Sequence, residues 1–455
     1  MNKTSWDLPK LTQELTQLLD CEVRTDPAEF GVYIIDESQM PPEGDPLAVI
    51  FPTETVQVSQ ALKWANSHKI PVSVRGGGTG LAGGAVAYPG GLVISLDRMN
   101  KILNIDVENK LADIQPGVIT AELDAAANEL GLFFAPDPAS AATSTVGGNI
   151  ATNAGGLRCV AHGVTLESVA ALEVVLANGE VIHTGGRTVK NVSGLNLTQL
   201  FVGSEGTLGI ITGATVRLKK APAGDPFTFS AHFDTMAQAS QAILEVVNNG
   251  KPESLELVDA PSAAAVEKHF PSGLKIPKAA IVLGLCVGED AQEKAQVIAE
   301  ICTAGGAVET AVVKGHELLN TRRQINPAMT IEKVQIFGDV GVPISKLPEM
   351  CARLDEISER TGKRIFMIAH AGDGNLHPSV ESGNTPEEYA AGQKVLDEIV
   401  VAALELGGTI TGEHGIGALK HHELPLQFTP QTLAAQRTIK DALDPNGILT
   451  PGRGI

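Results

Sequence analysis

Apolar positions along the chain keep two rhythms, one helical and one strand-like, and both stop at a few polar breaks. After Thr53, Val58, Leu62 and Ala65 recur at helical spacing, and after Thr120, Leu123, Ala127 and Leu130 do the same. Steps of three and four put each set on one helix face, and each threonine suits the N-cap. Between them, Ile70–Arg75, Leu92–Leu96 and Val169–Leu176 read as strands, the last turning at Asn178-Gly179 into Val181–His183. The rhythm is lost over residues 219–226 (KKAPAGDP), which marks a domain boundary. Beyond it come a strand at Phe227–Phe233, a helix from Thr235 to Asn249 stopped by Gly250, a strand at Ala280–Val287 and a helix from Asp290 to Ala304 stopped by Gly305-Gly306. Ile365–Ile368 and Leu376–Val380 read as strands around a Gly-Asp-Gly bend. Thr385-Pro386-Glu387-Glu388 opens a helix with a cap, a proline at N1 and a capping-box glutamate. The layout is α+β.

Composition changes this picture first through glycine, 48 of 455 residues against a usual share of about 7%. The glycines cluster at residues 76–84 (GGGTGLAGG), 147–156 (GGNIATNAGG) and 203–209 (GSEGTLG). Gly78, Gly80 and Gly83 satisfy G-x-G-x-x-G after a strand, with Asp97 downstream, the pattern of a Rossmann nucleotide site. That reading fails on length: a parallel crossover needs about a dozen residues and usually a helix, and Pro89-Gly90-Gly91 leaves no room for one. The expectation is a strand, a nest of backbone N–H groups and a second strand, able to cradle a diphosphate. Three such stretches favour one large cofactor over three tight turns.

Charge and cysteine exclude further classes. Lys+Arg 34 less Asp+Glu 53 gives −19, a surface that repels nucleic acid and anionic lipid and requires local positive charge wherever a small anion binds. Five well-separated cysteines without a C-x-x-C pair argue against an iron–sulfur cluster, a zinc ribbon and a disulfide framework. The beginning of the chain lacks a basic then apolar leader, and no apolar run reaches 18 residues, so a soluble protein of the reducing cytoplasm is expected.

Candidate chemistry lies in two C-terminal motifs, residues 370–377 (HAGDGNLH) and 412–415 (GEHG). The bend in the first brings His370 and His377 together; with Glu413 they are ligand types for zinc or a similar divalent ion with an open position. Spacing alone leaves metal ligation and ordinary loop polarity both open. Arg322-Arg323 reads either as a solvated helix face or as an anion clamp.

Taken together, residues 75–80, Pro136-Asp137-Pro138, 147–156 and 203–209 resemble the vanillyl-alcohol-oxidase-type (PCMH-type) FAD-binding fold, and within it the D-2-hydroxyacid dehydrogenases: the FAD subunit of glycolate oxidase, D-lactate dehydrogenase and D-2-hydroxyglutarate dehydrogenase. The resemblance spans about residues 45–453. It implies an N-terminal helical segment (1–45), a PCMH-type FAD domain (46–221), a ferredoxin-like α+β substrate or cap domain (222–411), and a C-terminal segment (412–455) packing back on the FAD domain. It also implies FAD held by Gly76, Gly77, Gly78, Thr79, Gly80, Leu81, Pro136, Gly147, Gly148, Asn149, Asn153 and Glu205. That FAD is non-covalent, because the first loop lacks the histidine of covalent relatives. A divalent metal on His370, His377 and Glu413 is implied, zinc first with manganese or iron as alternatives. His414 is then the general base, Arg322 the carboxylate-binding cation, and Asn375 a residue beside flavin and substrate.

The implied activity is oxidation of a small D-2-hydroxy acid, of the glycolate or D-lactate class, to the 2-oxo acid. Electrons pass to a quinone, a cytochrome or an electron-transfer flavoprotein. A homodimer and a peripheral contact with the inner membrane or another subunit are compatible with this. Alternatives are a D-2-hydroxyglutarate dehydrogenase, an alkylglycerone-phosphate-synthase-like transferase, and a non-catalytic FAD subunit of a glycolate oxidase complex. Two departures stand out in the closing motif: Thr450 replaces a common asparagine, and Arg453 replaces a common lysine. His421 and His422 are expected at the surface.

Overall fold

The computed structural model describes residues 8–271, 273, 275–316, 324–332, 335–383 and 385–455. They form two compact units. The first comprises the chain up to Ala154, Val164–Ala221 and His414–Ile455; the second comprises Gly155–Gly163 and Pro222–Glu413.

In the first unit, β1 (Glu22–Arg24), β2 (Ala48–Phe51), β3 (Val72–Arg75) and β4 (Leu92–Ser95) form a sheet in the order β1-β2-β4-β3. The runs AVIF and LVIS are buried at every position, as expected of central strands covered on both faces. Here β4 runs parallel to both β2 and β3. The expectation that no parallel crossover fits after β3 is therefore corrected. The described residues 76–91 hold no helix, and the glycine-rich connection itself carries the chain back to a parallel neighbour.

Helix Thr55–His68 lays Val58, Leu62 and Ala65 into the core against Ile50 and Ile94. Its cap is Glu54 rather than Thr53: Glu54 and Gln57 form a capping box, and the Thr53 backbone N–H donates to Gln57 Oε1 at 2.7 Å. Thr120 is likewise the first residue of its helix (Thr120–Asn128) and not the cap, since its hydroxyl donates to Ser144 O at 3.1 Å. Leu123 and Ala127 are buried, but Leu130 lies past the helix end and is 47% exposed.

A second sheet pairs β5 (Ile102–Asp106), β6 (Leu111–Ile114), β8 (Val169–Val175), β9 (Val181–Gly185) and β10 (Ile210–Arg217) in the order β5-β6-β10-β8-β9. The short β7 (Leu132–Phe133) meets β11 (Lys219–Lys220). The second glycine stretch is not a loop throughout: Val146–Thr152 is a short helix whose Thr145 cap accepts from Gly148 N at 3.2 Å.

The C-terminal tail joins this unit by a parallel bridge from Leu449 to Val72. Next to it, Thr450 has φ +40° and a buried hydroxyl without a hydrogen-bond partner among the described residues. A β-branched residue is strained there, whereas asparagine tolerates left-handed backbone. The sequence departure at this position thus has a physical cost, and Thr450→Asn is expected to raise stability by about 1 kcal/mol, read as a higher denaturation midpoint.

In the second unit, β12 (Phe227–Phe233), β13 (Ser254–Asp259), β14 (Ala280–Cys286), β15 (Glu309–Lys314), β16 (Gln335–Phe337), β18 (Ile365–His370) and β19 (Asn375–Glu381) follow the order β15-β12-β14-β13-β18-β19-β16, with β17 (Val340–Gly341) on β19. The portion β15-β12-β14-β13 is antiparallel, and helices Met236–Asn249 and Ala291–Ala304 make its crossovers. This is the split β-α-β arrangement of ferredoxin-like folds. The β18–β19 hairpin extends that sheet and carries the candidate site.

Candidate functional site

In the first unit several glycines of the first two stretches sit where a side chain would collide with its surroundings. A Cβ on Gly76 would overlap the Thr145 hydroxyl, one on Gly77 the Thr143 carbonyl, one on Gly78 the Arg75 guanidinium, and one on Gly147 the ring of Pro116. Gly78 also has φ +72°, a conformation that glycine adopts without strain. Among the described residues, and chain neighbours aside, a Cβ placed on exposed Gly80 would meet Asp36 Oδ2 alone, at 3.9 Å. Below the loop, the buried Arg75 guanidinium donates to Ile35 O and, at 3.3 Å, to Gly77 O. Bare backbone beside a buried cation fits the diphosphate of a dinucleotide cofactor. Gly77→Ala is therefore expected to weaken FAD binding about tenfold or more, measured by flavin fluorescence on titration.

The other residues expected at the cofactor are placed as follows. Thr79 is half-buried, Leu81 is exposed, and Pro136 is buried. Asn149 donates from Nδ2 to Thr120 Oγ1 (2.7 Å), and Asn153 Oδ1 accepts from Leu166 N (2.9 Å). The Glu205 carboxylate accepts from Ile416 N (2.8 Å) and Gly417 N (2.7 Å). Its side chain thus ties the third glycine stretch to the segment that begins at His414. Burial raises the Glu205 pKa against the pull of those two N–H donors. Arg453 is buried as well: it donates to Gly84 O and Val86 O and lies 3.9 Å over the Tyr88 ring, so its charge serves the loop after the first glycine stretch.

In the second unit, strand register assembles the histidines. Ile368 pairs with His377, and His370 pairs with both Asn375 and Glu256. Directly paired residues share a face, as do residues two apart, so Glu256, His370 and His377 form one row. The two imidazole centroids are 5.1 Å apart, ring edge to ring face. Glu413 completes the cluster: its Oε1 lies 3.5 Å from His370 Nε2 and 3.1 Å from His377 Nε2. Its Oε2 faces Gly155, where a Cβ would approach to 2.6 Å. The three donor atoms lie within 4.8 Å of one another.

The donor set fits a divalent cation. Glu256, fully buried, holds His370 Nδ1 at 2.8 Å, which turns Nε2 toward Glu413, the carboxylate–histidine orientation typical of metal ligands. Burial opposes a charged His370 ring, but Glu256 and Glu413 outweigh it and lift the imidazole well above its usual range. Burial likewise works against an ionised Glu413, yet His370 and His377 hold that carboxyl well below the ordinary value. Nearby, burial raises Asp373 to about 6. A buried, carboxylate-rich nest of this kind calls for positive charge.

Residues 46–185 match the family described as FAD binding domain, and residues 227–453 match FAD linked oxidases, C-terminal domain. A protein of Bacillus subtilis named glycolate oxidase subunit GlcD is 39% identical over 417 residues, 90% of this chain and 88% of its own. The chain belongs to the FAD-linked oxidase family. Other relatives of this FAD-linked oxidoreductase are a D-lactate dehydrogenase of Archaeoglobus fulgidus (38% identical, covering 91% of this chain and 93% of its own) and a D-2-hydroxyglutarate dehydrogenase of Stutzerimonas stutzeri (31%, 98% of each). Among solved structures, p-cresol methylhydroxylase superposes with a TM-score of 0.78 at 20% identity over 98% of this chain and 96% of its own, which establishes the PCMH-type fold.

Of the expected residues in this FAD-linked oxidoreductase, the structure brings His370, His377, Glu413 and Asn375 together. His414 is the next residue along the chain, and Arg322 lies outside the described residues. Both amide hydrogens of Asn375 are engaged, with Asp339 Oδ1 (2.7 Å) and Val340 O (3.1 Å). Its free end is therefore a carbonyl acceptor, suited to a hydroxyl donor and not to a carboxylate. Sequence reasoning missed Glu256 and Asp339. Glu256 leaves a signal, a lone acid within the otherwise apolar run LELV; Asp339, between glycine and a two-residue strand, leaves none.

Proposed function

We propose that this FAD-linked oxidoreductase oxidises a small 2-hydroxy acid, of the glycolate or D-lactate class, to the 2-oxo acid with non-covalent FAD and a divalent cation. The observation that carries this reading is the clustering of buried His370 with half-buried His377 and Glu413, a triad that ends one peptide bond before His414. Relatives named as glycolate oxidase subunit and D-lactate dehydrogenase support the substrate class.

The reaction removes the hydroxyl proton and a hydride from carbon 2. When bound, FAD supplies the hydride acceptor and a divalent cation supplies Lewis acidity at the hydroxyl. The chain's own residues do the remaining work. His414, as neutral imidazole, takes the hydroxyl proton at a ring nitrogen, a task for which imidazole is the usual side chain. Asn375 offers its carbonyl oxygen to the hydroxyl. Arg322 binds the carboxylate, bidentately where geometry allows, and so supplies the local positive charge that a chain of net charge −19 requires. The backbone of Gly76–Gly80, with Gly147 and Gly148, holds the FAD diphosphate, and Leu81 and Ala82 offer no side chain for a covalent flavin link.

Electrons then leave through a separate quinone, cytochrome or electron-transfer flavoprotein, in keeping with a chain whose five cysteines form no cluster motif. Among the described residues, no helix is long and apolar enough to cross a membrane, which is compatible with a cytoplasmic enzyme.

Anaerobic mixing of the FAD-loaded protein with glycolate and both enantiomers of lactate and 2-hydroxyglutarate tests the proposal. Loss of visible flavin absorbance with glycolate or a D-acid supports it. A panel in which none of these acids bleaches the flavin overturns it.

A further inference from the structure

One buried carboxylate outside the triad touches the site from two sides. Asp339 is 1% exposed and sits immediately before β17, which pairs with β19. Its Oδ1 accepts from Asn375 Nδ2 at 2.7 Å. Its Oδ2 accepts from Thr411 Oγ1 at 2.5 Å, Gly412 N at 2.9 Å and Glu413 N at 3.1 Å. The segment Thr411–Glu413 is thus wrapped around a single anion. Gly412 permits this, because a Cβ there would overlap the Asn375 amide and reach 3.0 Å from Asp339 Oδ1.

We propose that Asp339 is a positioning residue that sets two parts of the site in register, the Asn375 side-chain amide and the backbone from which the Glu413 carboxylate reaches the histidines. The proposal rests on the reading of His370, His377 and Glu413 as a cation site. An ionised carboxylate suits the role because it only accepts, and every group aimed at it from Asn375, Thr411, Gly412 and Glu413 donates. Asparagine has nearly the same shape but presents one amide nitrogen to these donors. In Asp339→Asn either the Asn375 amide or the 411–413 backbone must turn away, and the Glu413 carboxylate turns with it. Glu256 holds His370 and takes no part in the Asp339–Asn375 hydrogen bond, so its loss leaves the Asn375 link intact. Asp339 is the residue that couples the two.

The test uses the FAD-loaded protein and Co²⁺ alone, with affinity read by calorimetry and ligand geometry by the visible cobalt spectrum. Asp339→Asn is expected to weaken Co²⁺ binding about 10- to 100-fold and to alter the cobalt bands, with FAD content and its spectrum unchanged. Gly412→Ala pushes on the same link from the other side and is expected to reproduce both effects. It decides the matter if Asp339→Asn does not fold. Wild-type affinity and cobalt bands in the folded variants, alongside loss of binding in Glu413→Gln, would overturn the role of Asp339. Failure of wild-type protein to bind Co²⁺ would instead overturn the cation site itself.

Discussion

Replacing His414 with glutamine is expected to slow anaerobic reduction of the bound flavin by a 2-hydroxy acid about 10²- to 10⁴-fold, the span over which a positioned general base acts. FAD content should be unchanged, because the backbone around His414 is held independently of the ring. Glu205 accepts from Ile416 N and Gly417 N. Ala82 O accepts from Ala418 N (2.8 Å) and Leu419 N (3.1 Å), and Gly417 O from Gly454 N (3.0 Å). The loss should fall on the rate of bleaching at saturating acid rather than on apparent affinity, since the variant lacks a group that acts only as the proton leaves. A variant that reduces its flavin at the wild-type rate removes His414 as the base.

The second large effect concerns stability. Lys440 and Asp444 are both buried and 2.5 Å apart, and Lys440 also donates to Thr207 O and Leu449 O at 2.8 Å. Asp444 in turn accepts from Ile448 N (3.0 Å) and Leu449 N (2.8 Å). This pair fastens the terminal helix and tail to the third glycine stretch within the first unit. Burial lowers the lysine's pKa, and Asp444 restores part of it. Lys440→Met leaves the carboxylate buried without its counter-charge and is expected to cost about 3–5 kcal/mol, read in denaturant unfolding of the first unit. The double variant Lys440→Met/Asp444→Asn should recover part of the loss, because the stranded charge is gone. A single variant as stable as wild type would contradict this account of the tail.

Sequence pattern and structure agree most closely where one local force dominates. The Thr385 capping box with Glu388, the helix from Met236 to Asn249 capped by Thr235, and the hairpin around residues 371–374 are fixed by short-range geometry, and each is present. Errors arise where tertiary partners decide. Thr53 and Thr120 are good caps by type, but Gln57 and Ser144 claim their polar groups. Leu130 keeps helical spacing yet lies beyond the end of its helix. Helix length alone misjudged the connection from β3 to β4, since a glycine-rich segment can make a parallel return without a helix. At the site, glycine clusters and the HAGDGNLH motif stand out because their residue types are unusual. Glu256 and Asp339 depend on strand register across more than 100 residues for one (β13 to β18) and about 35 for the other, which no local pattern displays.

The central claim is that flavin and a His370–His377–Glu413 cation act together on a 2-hydroxy acid. Its most direct test is anaerobic bleaching of the FAD-loaded protein by D-lactate and by glycolate after chelation, before and after zinc or manganese is returned. Rapid bleaching by at least one acid, abolished by chelation and restored by the cation, is the predicted result. Bleaching that proceeds equally well without the cation, or that neither acid produces with it, would contradict the claim.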